Sequence, residues 1–128
     1  YVWKKNPIAS KSSVSLQELE KYPCLTFDQG KTNSFYFAEE VFSTYEYKQT
    51  IQVDDRASML NLMVGLNGYT LCSGIICEEL NGSDYAAVPL KETEVMTIGY
   101  VKRKSIQLSE LAQLYVNELA KYKKLVLK

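Results

Sequence analysis

Short β-favouring runs alternate with amphipathic helical stretches along the chain, and this order narrows the architecture more than composition does. Tyr1-Val2-Trp3 is a β-favouring run closed by Lys4-Lys5-Asn6-Pro7, because Pro7 biases Asn6 towards extended backbone. Ser15 caps a short helix, with Glu18 completing a capping-box pattern and Leu16 and Leu19 on one face, until Tyr22-Pro23 stops it. Cys24 to Phe27 reads as an apolar strand, followed by a turn-rich loop from Asp28 to Asn33. From Ser34, Phe35, Ala38, Val41 and Phe42 recur at helical spacing. Gln49 to Val53 alternates as a strand. Asp54 or Asp55 then caps a helix striped by Met59, Leu62, Met63 and Leu66, which ends at Gly65 and Asn67-Gly68 through left-handed backbone positions.

The second half continues the alternation. Tyr69 to Cys72 is a short strand, a helix runs from Ile75 to about Leu80, and Asn81 to Asp84 is a turn. Tyr85 to Leu90 and Glu94 to Val101 are two further strands. Leu108, Leu111, Ala112, Tyr115, Leu119 and Tyr122 form one face of an amphipathic helix, whose lysines at 121, 123 and 124 suit a helix C-terminus. A solvated helix end explains this basic tail better than nucleic-acid contact, since no aromatic or arginine interleaving accompanies it. Strand and helix in this order predict an α/β wound sheet, mostly parallel, with helices on both faces.

The composition removes several functions. The 128 residues are 46% hydrophobic and 23% charged, which suits a folded domain that needs no disulfide or metal staple. There is no histidine, so the commonest general base, the usual metal ligand and any Ser-His or Cys-His pairing are all missing. Cys24, Cys72 and Cys77 form an odd set without CxxC spacing, which supports reduced thiols rather than a disulfide framework or zinc site. Fifteen basic residues cancel fifteen acidic ones, an argument against gripping nucleic acid by bulk charge. The balance is uneven along the chain: Lys and Arg stand four to two against Asp and Glu in residues 1–27, four to eleven in 28–94, and seven to two in 95–128. No apolar run reaches the roughly 20 residues that span a bilayer, and no secretion signal opens the chain, so a cytoplasmic location without membrane contact is expected. No metal and no cofactor is expected.

In wound α/β sheets ligands sit beyond the carboxyl ends of strands, where loops meet helix N-termini. Two places satisfy that rule. One is the loop after Phe27, with Asp28, Gln29 and Gly30 leading to Thr32, Asn33 and Ser34 at a helix start; the other is Cys72-Ser73-Gly74. Backbone N–H groups there can hold a carboxylate or phosphate. Ordinary capping accounts for the same residues without a ligand. Asp28 can accept an ammonium, which with the hydroxyl and amide groups fits an amino-acid-like effector, or it can cap its own loop.

Several stretches, taken in order, resemble the effector-binding domain of LysR-type bacterial transcription regulators. Lys5-Asn6-Pro7-Ile8-Ala9 is similar to that family's His-Pro-Leu-Ala turn, and Val14 to Leu19 to the helix that follows it. Tyr22 to Phe27 resembles the strand opening the second subdomain. Gln52 to Asp55, Met59 to Val64, Gly65-Leu66-Asn67-Gly68 and Tyr69 to Leu71 resemble the family's strand, helix, Gly-Leu-Gly turn and strand. Ile98 to Lys104 and the terminal helix match its closing segments. Asn6 stands where the family turn has histidine, Asn67-Gly68 alters the glycine turn, and Ser73-Gly74 stands where a proline is often found.

The resemblance implies a periplasmic-binding-protein type 2-like lobe. Residues 1–7 would be a crossover strand from the first subdomain, 8–94 the second subdomain, and 95–128 the return crossover and terminal helix of the first. The effector-facing residues would be Asp28, Gln29, Gly30, Thr32, Asn33, Ser34, Ser73 and Gly74, with a hinge at Trp3 and Gly99. Tyr1-Val2-Trp3 reads like the middle of a strand, so the chain is expected to be part of a longer regulator whose N-terminal helix-turn-helix makes the DNA contact. The regulator is expected to be a homo-oligomer that takes a small-molecule effector. The Leu108-to-Tyr122 face would pack on absent first-subdomain elements, so self-association, or packing of the tail on its own sheet, is expected. Two other classes compete: a lobe of a solute-binding protein for transport, and an enzyme with Cys24 or Cys72 as nucleophile. The first would carry a secretion signal, and the second lacks a histidine partner.

Overall fold

The computed structural model describes residues 1–28, 30, 45–74, 78–93 and 99–122. The helix expected from Ser34 and most of the strand expected over Glu94 to Val101 lie outside them. The chain divides into two compact units, Tyr1–Met96 and Thr97–Lys128.

In the first unit, β1 (Val2–Trp3) pairs antiparallel with β4 (Tyr85–Ala86), while β2 (Cys24–Phe27) pairs parallel with β3 (Thr50–Val53), Cys24 opposite Thr50 and Phe27 opposite Val53. Tyr69 links the two ladders, bridging Val2 antiparallel and Cys24 parallel. The pairing is therefore mixed: parallel along β2 and antiparallel wherever β1 takes part. The strand expected over Tyr69 to Cys72 reduces to the bridge at Tyr69. The strand expected from Tyr85 to Leu90 stops at Ala86, and Leu90 bridges Val14 instead.

Side-chain alternation along these strands builds a core on each side. Val2, Cys24 and Tyr69 face Ile8, Val14 and Leu19, and Leu19 comes from α1 (Leu16–Leu19). Leu25 and Val53 face Met59 and Met63 of α2 (Arg56–Leu66), with Tyr1, Phe27 and Tyr85 packed against them. Leu25 and Met63 are fully buried, each contributing about 1.5–3 kcal/mol relative to exposure. The two helices thus cover opposite faces.

Local sequence explains both helix starts. Ser15 caps α1 and Glu18 returns its carboxylate to the Ser15 N–H at 3.0 Å, completing the capping box. Asp55 caps α2 by accepting from the Ser58 N–H at 2.9 Å. At the other end of α2 the left-handed residue is Asn67 (φ 52°), while Gly65 remains within the helix and Leu66 is exposed. Gly68 is needed for closeness rather than for φ, since a Cβ there would sit 2.6 Å from Leu25 Cδ1 and 3.2 Å from the Pro23 carbonyl. α3 (Glu78–Asn81) follows, its described residues starting three positions after the expected Ile75.

In the second unit, Gly99 to Val101 take no regular structure and α4 spans Glu110–Tyr122, so Leu108 precedes the helix.

Candidate functional site

β2 and β3 run in the same direction, and the parallel bridge from Cys24 to Tyr69 gives the Tyr69 segment that direction too. The turns after Phe27, Val53 and Leu71 therefore leave the sheet along one edge, the edge where wound sheets take ligands.

Asp28 begins the first turn. Its N–H donates to the Val53 carbonyl at 3.0 Å, carrying the β2–β3 ladder one residue further. Its carboxylate accepts the Gly30 N–H at 2.9 Å, and Gly30 is left-handed at φ 67°. Of the two roles open to Asp28, loop capping is thus realised, while its exposed position keeps the carboxylate in reach of solvent. Gln29, Thr32, Asn33 and Ser34 lie outside the described residues.

The second turn starts after Val53 with exposed Asp54 and Asp55. The Ser58 N–H, followed by the Ser58 hydroxyl at 2.7 Å, holds the Asp55 carboxyl below its ordinary range. The N-terminus of α2 is therefore occupied by the chain's own carboxylate, which removes it as an anion site. Asp28, Asp54 and Asp55 are exposed at these turns, with Arg56 next along the chain, also exposed.

The third turn holds Ser73 and Gly74. Thr70 anchors it, donating its N–H to the Tyr1 carbonyl at 3.1 Å and accepting from the Tyr1 nitrogen at 2.9 Å. Cys72, Ser73 and Gly74 are exposed, the Gly74 N–H donates to Cys72 Sγ at 3.4 Å, and Gly74 is left-handed at φ 80°. The first turn of α3 carries Glu78 and Glu79, so that helix start already has the negative charge it favours.

The two residues expected at the hinge fall in different units. Trp3 is half-buried, stands opposite Tyr85 in the β1–β4 ladder and carries the Lys5 ammonium 5.4 Å from its ring centroid. Gly99 is exposed, with open space where a Cβ would be.

Sequence reasoning missed the stacking of Tyr1 on Tyr85, with centroids 5.5 Å apart and planes inclined by 25°. The Tyr85 hydroxyl donates to the Leu60 carbonyl at 3.2 Å, which ties β4 to α2. Burial raises both phenols above their ordinary values, so both remain neutral. The β1–β4 register creates this pair, and no local pattern announces it.

Cys24 is 1% exposed and Cys72 is exposed, so only Cys72 of these two could meet a substrate. Among the described residues no group of three Asp, Glu or Cys side chains is placed to hold a metal ion, and no helix is long and apolar enough to cross a membrane.

Residues 2–124 match the family model described as LysR substrate binding domain. No curated protein and no solved structure matches the chain.

Proposed function

The chain belongs to the LysR substrate binding domain family, and on that premise we propose that it is the effector-sensing part of a LysR-type transcription regulator. Domains of this family serve regulators rather than enzymes, and effector sensing is what they contribute. The match over residues 2–124 carries this reading. The sheet edge supports it, since three turns converge there on a strand arrangement suited to ligand binding.

In this reading the fold is a periplasmic-binding-protein type 2-like lobe with a wound, mostly parallel sheet. Residues 8–94 form the second subdomain, while 1–7 and 95–128 belong to the first. The effector sits between the two against Asp28, Gln29, Gly30, Thr32, Asn33, Ser34, Ser73 and Gly74. Trp3 and Gly99 mark the crossings about which the subdomains open and close. A small carboxylate carrying an ammonium is the class favoured. The loop hydroxyl and amide groups suit its carboxylate, and the acidic character of Asp28 and Asp54 suits its ammonium.

The effector acts by binding one arrangement of the subdomains better than the other. A hundredfold preference supplies about 2.7 kcal/mol, enough to invert an equilibrium that is nearly balanced. That shift alters the geometry of a cytoplasmic homo-oligomer and so the spacing of DNA-binding segments carried elsewhere in the regulator.

The test is Thr32→Ala and Ser34→Ala in the full-length regulator, titrated with a panel of amino acids and short carboxylic acids and read by transcription from its own promoter. Both variants should respond at higher effector concentration than wild type while binding DNA equally well without effector. Responses that superimpose on wild type across the panel would overturn the site.

A further inference from the structure

The chain contains two Asn-Gly pairs, Asn67-Gly68 and Asn81-Gly82. Such a pair carries its own chemistry. The backbone nitrogen of the glycine can attack the side-chain amide carbon of the asparagine, because no Cβ stands in the way. The new bond from nitrogen to Cγ forms as the Cγ–Nδ2 bond breaks, and the glycine amide proton departs with the side-chain nitrogen as ammonia. Water then opens the cyclic imide at one of its two carbonyls. One opening gives aspartate; the other gives isoaspartate, with an extra methylene in the main chain. The attack requires that the glycine N–H leave its hydrogen bond and that the asparagine turn about ψ to meet it.

The two pairs differ in how firmly the fold opposes that movement. Gly68 donates its N–H to the Met63 carbonyl at 3.1 Å, at the end of an 11-residue helix anchored by buried Met59 and Met63. Asn6 holds the Asn67 carbonyl at 2.7 Å, and Gly68 sits too close to Leu25 and the Pro23 carbonyl to admit a Cβ. The next residue, Tyr69, is buried and donates to that same Pro23 carbonyl at 3.0 Å. Turning this peptide would unseat the bridges that join the two ladders, so it happens only when much of the core opens.

Asn81 ends α3, a single turn with no buried residue and with Leu80 83% exposed. The Gly82 N–H donates to the Glu78 carbonyl at 2.8 Å, but Gly82, Ser83 and Asp84 are all exposed. One helical turn without a buried side chain opens at little cost.

We propose that Asn81 is a site of spontaneous deamidation in the folded protein, while the fold keeps the identical dipeptide at Asn67 intact. The product opposes return to the helix. A carboxylate at position 81 stands one turn from Glu78 and at a helix C-terminus, and both neighbours disfavour it. Isoaspartate also lengthens the main chain just before β4, where the Asp84 carbonyl accepts the Lys4 N–H at 2.8 Å and Tyr85 stands opposite Trp3. The proposal is independent of the effector reading, because it uses none of the residues assigned to the effector.

Peptide mapping by mass spectrometry tests it on the full chain, incubated at mildly alkaline pH with and without urea. Each asparagine is compared with its own rate in urea, where nothing restrains either pair. In the folded chain Asn81 should convert within roughly tenfold of that rate, and Asn67 should slow by roughly a hundredfold or more. Asn6→Ala, shown to be folded by far-UV circular dichroism, should speed conversion at Asn67 and leave Asn81 unchanged. A fold that slows Asn81 as much as Asn67, or more, would overturn the proposal. So would an Asn6→Ala chain in which Asn67 stays as slow as in wild type.

Discussion

The side-chain amide of Asn6 donates to the backbone carbonyl of Asn67 at 2.7 Å, joining the turn after β1 to the left-handed cap of α2. The same side chain accepts the Ile8 N–H at 3.0 Å. Asn6 is 3% exposed, so water replaces neither bond when the side chain is removed. Both turns belong to stretches by which the sequence resembles its family, and this contact shows what holds them together.

Asn6→Ala is expected to destabilise the fold by about 2–3 kcal/mol, read from the urea midpoint. Asn6→Asp keeps an acceptor for Ile8 but loses the donor and sets a carboxylate against the Asn67 carbonyl. Burial and that carbonyl favour its neutral form, so the loss in Asn6→Asp should deepen as pH rises through about 4.

The two glycines near the end of α2 should respond in opposite directions. Gly65 lies inside the helix with open space around its Cα, so Gly65→Ala should raise stability by about 1 kcal/mol. In Gly68→Ala the new methyl meets fully buried Leu25 and the Pro23 carbonyl, and a loss of about 1–3 kcal/mol is expected. Equal effects of the two substitutions on the denaturation midpoint would contradict this account of the turn.

Glu18 predicts an acid limb in the stability curve. Its carboxylate accepts from Lys11, from the Ser15 N–H and hydroxyl, and from Lys91 at 3.1 Å; the lysine contact and the Ser15 backbone bond do most to hold its pKa far below the ordinary value. A depressed folded-state pKa means the stabilisation is complete above the unfolded value near 4.5 and is lost as pH falls below it. Glu18→Gln should therefore be less stable than wild type at pH 7, and the difference should shrink between pH 4 and pH 2. Thermal unfolding at several pH values measures both effects.

The elements written most plainly in the sequence are those whose determinants lie within one helical turn. Ser15 and Glu18 lie three residues apart, and their reciprocal bonds form as read. Of the two caps open to α2, Asp55 is the one formed, accepting from the Ser58 N–H and hydroxyl, and the alternation of Ile51 and Val53 places β3 against its core. Leu66 departs from its stripe because the helix stops at Asn67 and turns that position to solvent. At the sheet edge the sequence singled out Asp28, Gly30, Ser73 and Gly74, and the parallel pairing through Tyr69 sets their turns along one side. It did not show that Asp55 fills the α2 N-terminus against a ligand anion, since a cap and an anion site are written with the same residue types.

By itself the sequence determined α1 and α2 with their caps and the runs of β2 and β3, because hydrogen-bond spacing and side-chain alternation are repeated within a few residues. Tertiary structure alone decided that Tyr69 bridges Val2 and Cys24, that Leu90 leaves β4 for Val14, that Glu92 reaches the Leu16 N–H at 3.1 Å, and that Asn6 meets Asn67. Each of those choices satisfies a backbone group with a partner at least 45 residues away, and such a partner exists only once the chain has closed around its core.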